Sequence, residues 1–132
     1  MKHLFLLLVA ATIVACGTRA KTIEERGAKL YAANNGPICL LAGAPPTDIK
    51  YEVLGRVVAT KRSYGSSDEL LAPMAREARR LGADAIINLQ AGQRFKGPLP
   101  WRITSPSGDG TAIKVLEGAA KLDCAHAGGK TL

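Results

Sequence analysis

The chain has 132 residues, with 18 Lys+Arg against 11 Asp+Glu for a formal charge of +7, three Cys, two His and one Trp. Domains run to roughly 100–200 residues, and barrel folds need about 200 or more, so this length supports one compact domain. The positive charge first suggests a nucleic-acid ligand, and its distribution along the chain argues against one.

Residues 1–15 open with Lys2 and His3 and run through Leu4 to Ala15 without a charge. A basic start, a short apolar stretch and small residues at its end are the layout of an export signal. A membrane-crossing helix needs about 20 apolar residues, more than this stretch offers. Ile13-Val14-Ala15-Cys16 resembles the bacterial lipobox. That resemblance implies that Ile13, Val14 and Ala15 are read by the signal peptidase and that Cys16 becomes the lipid-bearing N-terminus. Ordinary cleavage after Ala15, with Cys16 a plain thiol, is the other reading. Gly17, where Asp would retain the protein at the inner membrane, implies the outer membrane.

Processing removes Lys2 and no acidic residue, leaving 117 residues at +6 in a compartment that holds no chromosome. The acidic neighbours there are lipid phosphates, lipopolysaccharide, peptidoglycan carboxylates and acidic protein faces. Arg19, Lys21, Arg26 and Lys29 follow the anchor and are the candidates for contact with an anionic surface.

Residues 16–37 read as a lipidated tether with helical tendency over 22–33. Ile38 to Leu41, between Gly36-Pro37 and Gly43, reads as a buried strand. Tyr51 to Thr60 reads as a second, with Gly55 marking a bulge or a close backbone approach. Ser63 to Asp68 carries N-cap chemistry. Leu70, Leu71, Met74, Ala75, Ala78 and Leu81 then give one face of an amphipathic helix, with Pro73 in its first turn or at a kink and Gly82 as its stop. Ala85 to Gln90 is a further strand. Trp101 to Thr104 and Thr111 to Glu117 flank Ser105–Gly110, which holds two turn signals, so these segments read as a final hairpin. The folded domain is thus expected over 38–124, followed by a flexible tail over 125–132.

Tyr51-x-Val53-Leu54-Gly55-x-Val57, the helix, and then Ala78-x-x-Leu81-Gly82-Ala83-Asp84-Ala85-Ile86-Ile87-Asn88-Leu89 resemble a pattern of two related bacterial groups. One is the small domain called YbjQ-like or heavy-metal-binding; the other is the outer-membrane stress-sensor lipoprotein of the Rcs phosphorelay. The resemblance implies an α+β fold, a small curved antiparallel sheet packed on one main helix in the order ββαβ(ββ). The chain departs from the Rcs sensor in offering one candidate bridge instead of two and a tether without proline before Pro37.

With lipid on Cys16, Cys39 and Cys124 remain, and an even number in an exported chain makes pairing the default. Free thiols are one competing reading; a metal site of Cys39, Cys124 and His126, lacking a CxxC or second His, is another. Asp84 reads as a turn residue, and Arg76, Arg79 and Arg80 as a solvated helix face. Trp101 and Phe95 read as core or as an exposed anchor for a partner. With no HExxH, GxSxG or phosphate loop, the expectation is a non-enzymatic outer-membrane lipoprotein without cofactor. Its domain faces the periplasm and binds an envelope protein or polymer, in stress sensing or assembly, and does not bind nucleic acid. A lipid-presented module for a small ligand or metal is the alternative.

Overall fold

The apolar spacing over residues 70–81 does form a helix. In the computed structural model, which describes residues 17–62, 64–96, 103–116 and 122–132, α1 spans Leu71–Arg80 and buries Met74, Ala75 and Ala78. A 3-10 turn, Ser67–Leu70, leads into it, and the Ser66 side chain accepts from the Asp68 amide at 3.2 Å. Pro73 falls in the first turn of α1, where amides have no intrahelical acceptor, so it costs no hydrogen bond.

Gly82 ends the helix at φ +80°. Its amide donates to Arg79 O at 3.0 Å and the Ala83 amide to Ala78 O at 3.0 Å, the paired bonds of a Schellman stop. A Cβ at Gly82 would also lie 2.6 Å from Ala32 O.

The strands are β1 (Arg19–Glu24), β2 (Cys39–Leu40), β3 (Tyr51–Thr60), β4 (Ala85–Lys96), β5 (Ile103–Val115) and β6 (Lys130–Thr131). They form one sheet in the order β1-β3-β5-β4-β2-β6. The fold is α+β. The sheet is mixed where an antiparallel one was expected, because β2 runs parallel to β4, and the chain order is βββαβββ in place of ββαβ(ββ).

Three segments differ from the sequence reading, each for a physical reason. Residues 19–24, expected as tether, form an edge strand whose register runs from Arg19↔Thr60 to Glu24↔Gly55. Its shallow burial leaves little apolar pattern to read. The pairing is set from β3, where Gly55 admits the neighbouring backbone: a Cβ there would sit 2.6 Å from Ile23 O. Gly55 also closes the bulge of β3 against β5.

Ser105–Gly110, expected as turns between two strands, lies inside the continuous β5. Pro106 is tolerated because its carbonyl, and hence its missing N–H, faces β3 where that strand ends; Lys61 N donates to Pro106 O at 3.1 Å just past Thr60. The hairpin is therefore β4–β5, and its connection at 97–102, including Trp101, lies outside the described residues.

Residues 125–132, expected as a frayed tail, fold back. Gly129 N donates to Cys124 O at 2.7 Å, β6 pairs with β2, and Leu132 exchanges backbone bonds with Ile38 at 2.8 and 3.0 Å. Substituting Gly82→Ala combines a left-handed conformation with a backbone clash, and is expected to lower stability by about 2 kcal/mol in urea denaturation.

Candidate functional site

Two apolar clusters cover opposite sides of the sheet. One joins Leu54, Val57, Ala59 and Ile86 to Met74, Ala75 and Ala78 of α1. The other joins Cys39, Leu41, Ala85, Ile87 and Ile113 to Leu122, Cys124 and Ala127 of the C-terminal segment. Cys39 and Cys124 stand at bonding distance, with Cα atoms 5.6 Å apart across a separation of 85 residues, so the bridge latches that segment onto β2. His126 sits in the turn after Cys124, its backbone amide on Asp123 Oδ1 at 3.1 Å. Among the described residues no three His, Cys, Asp or Glu side chains converge.

Asp84 is occupied by structure. Its Oδ2 accepts from the Val115 amide at 2.9 Å, closing the end of β5, and its Oδ1 accepts from Lys114 Nζ at 3.3 Å. The Lys114 ammonium lies 5.6 Å from the centre of the Tyr31 ring, and the Tyr31 hydroxyl donates to Glu52 Oε2 at 2.6 Å. That bond to Glu52 exists only for the protonated phenol, which raises the Tyr31 pKa above the ordinary tyrosine value; desolvation and the Glu52 charge act in the same direction.

The three helix arginines part company. Arg79 is half-buried and donates through Nε to Gly36 O at 3.0 Å and through Nη2 to Leu132 O at 2.7 Å, which makes it a strut and not a solvated residue. Arg80 pairs with Glu77 at 3.0 Å. Arg76 is exposed and lines a groove of about 740 Å³ between β1, the end of β3 and the middle of α1, together with Arg19, Lys21, Thr60 and Arg62.

Four of the described cations that make no ion pair line this groove. Arg56, Lys61, Arg80 and Lys114 each pair with a carboxylate. Among the described residues Arg19, Lys21, Arg62 and Arg76 make no ion pair, and the groove's acid, Glu77, is engaged by Thr22 and Arg80. The sequence cluster Arg19, Lys21, Arg26 and Lys29 is split by the fold. Arg26 and Lys29 lie past Glu24, beyond the far end of a strand about 20 Å long. Arg62 and Arg76 take their place, and no spacing in the sequence signals that convergence.

The groove lies at a defined end of the sheet. Arg19 pairs with Thr60, Thr60 with Ser107, and Ser107 with Gly92. Beyond that line β4 and β5 continue as a projecting hairpin, on which Arg94 is exposed and Phe95 is 68% exposed. Chain direction puts Thr18 and Gly17 at this same end. Cys16, Ile13, Val14 and Ala15 lie outside the described residues.

These features define a small, disulfide-latched α+β domain with a cationic groove at one end. Comparison with protein-family models, curated proteins and solved structures returns no match.

Two solution measurements bear on these contacts. Replacing Cys39 and Cys124 together by Ala is expected to cost about 4–5 kcal/mol, from the chain entropy released by opening so long a loop, and denaturant midpoints with and without reductant read this. Because the folded pKa of Tyr31 is raised, its contribution to stability is complete below the ordinary value of about 10 and is lost as pH rises through the shifted one. Spectrophotometric titration should show a tyrosinate component above the ordinary range that Tyr31→Phe removes.

Proposed function

We propose that the chain is an outer-membrane lipoprotein, anchored by acyl chains on Cys16, whose non-catalytic periplasmic domain engages an envelope protein or polymer in stress sensing or assembly. The observation that carries this reading is the position of β1. Gly17 and Thr18 alone separate Cys16 from Arg19, the first residue of an integral edge strand. Three residue steps span at most about 11 Å, so a lipid on Cys16 holds the folded domain at the leaflet instead of at the end of a long leash. Two or more acyl chains give the stable attachment that a fixed domain requires. The bridged Cys39–Cys124 pair supports an oxidising compartment such as the periplasm.

In cells fed labelled palmitate, the wild-type chain is expected to carry label and to remain with outer-membrane vesicles after a high-salt wash. Cys16→Ser is expected to lose the label and to wash off. Label or salt-resistant flotation persisting in Cys16→Ser would overturn the anchor.

A further inference from the structure

We infer that the anchor-bearing end of the sheet docks on the membrane itself, its cationic groove taking the phosphate groups of anionic phospholipids in the leaflet that carries the acyl chains. This rests on the lipoprotein reading for its geometry and goes beyond it in naming what the groove holds.

Three observations converge. Arg19, Lys21, Arg62 and Arg76 bring four exposed cations without carboxylate partners among the described residues into one groove. Leaving like charges together is unfavourable unless an anion neutralises them, and each basic residue at an anionic bilayer surface contributes roughly fivefold to binding. The groove starts at Thr18 and Arg19, two and three residues after Cys16, so acyl chains on Cys16 put headgroups within reach of it. The β4–β5 hairpin extends from the same end and carries a further exposed cation, Arg94, with the exposed Phe95 on its other face. The opposite end has no such excess: Glu24 and Glu25 offset Arg26 and Lys29.

The test uses the whole mature chain, residues 16–132, carrying Cys16→Ser and made without acyl chains, so every described residue is present. Its result is independent of whether Cys16 is lipidated in cells. The chain is expected to sediment with vesicles of phosphatidylcholine plus phosphatidylglycerol and not with phosphatidylcholine alone. Raising ionic strength from about 0.1 M to about 1 M, which shortens screening from roughly 10 to 3 Å, is expected to release it.

Arg62→Gln with Arg76→Gln is expected to weaken binding about 25-fold, two steps of about fivefold. Arg26→Gln with Lys29→Gln, the same change in net charge at the other end, is expected to leave binding within about twofold. Thermal melts showing both variants folded complete the comparison. Equal weakening by the two variants would reduce the effect to net charge and overturn the groove. Equal binding to phosphatidylcholine alone, or retention on isolated peptidoglycan without vesicle binding, would overturn the assignment to phospholipid phosphate.

Discussion

The sheet depends on a central strand that presents almost no side chain to the helix layer. β5 is bonded along both sides, to β3 and to β4, and at Gly108, Gly110 and Ala112 it carries at most a methyl. The space is used by neighbours. A Cβ on Gly110 would lie 2.5 Å from Ile86 Cγ2, and one on Gly108 would lie 3.0 Å from Gln90 O and 3.4 Å from Leu70 Cδ1. Ala75 and Ala78 match this flatness from the helix, while Leu70, Met74 and Ile86 fill the layer between. Interiors pack at crystal-like density, so glycine inside β5 is a packing requirement and not a weakness of the strand.

Among the described residues no helix covers the second face, which is closed by latching the C-terminal segment onto it. The bridge fixes Cys124 to β2. Gly129 then passes so close to Leu41 that a Cβ would lie 2.6 Å from its Cδ2. Arg79 ties the helix layer to this closure, because one guanidinium reaches both Gly36 O before β2 and Leu132 O after β6. Hydrogen bonds from a charged donor contribute about 1.5–3 kcal/mol each, more than a neutral pair. Helix, β2 and C-terminal segment are in this way held as one unit by a residue that reads as a surface charge.

What was legible in the sequence is what local physics determines. The helix face from Leu70 to Leu81, the stop at Gly82, the strand over 51–60 and the pairing of Cys39 with Cys124 all follow from periodicity, capping and cysteine arithmetic. β1 was not legible because its pairing is dictated by β3, and β6 because it depends on the bridge. Ser105–Gly110 misled because glycine and proline mark turns when they supply dihedral freedom, and here they supply thinness and a strand end. Asn88 shows the same ambiguity inside the motif: at φ 50° it forms the bulge of β4 that lets its amide bond Gly43 O at 3.0 Å. The groove was half legible, since Arg19 and Lys21 stand close to Cys16 in sequence, whereas Arg62 and Arg76 arrive by folding.

The register also determines what the domain would offer to other molecules in the proposed membrane-held arrangement. Arg19, Thr60, Ser107 and Gly92 mark one end of the sheet, so with that end on the leaflet the ends marked by Glu24, Tyr51 and Val115 point away from it. That far end differs in kind. Tyr51 and Leu116 are each 39% exposed and Leu30 is 92% exposed, beside a charge balance close to zero. Aromatic and aliphatic groups with little net charge characterise the centre of a protein interface more than a polyanion site. The sheet thus carries a cationic groove at one end and exposed apolar groups at the other, and the proposed function would assign lipid phosphate to the first and a protein partner to the second. On that proposal anchoring and partner binding would use different residues, because Arg19 and Thr60 stand at one end of the register and Glu24 and Gly55 at the other.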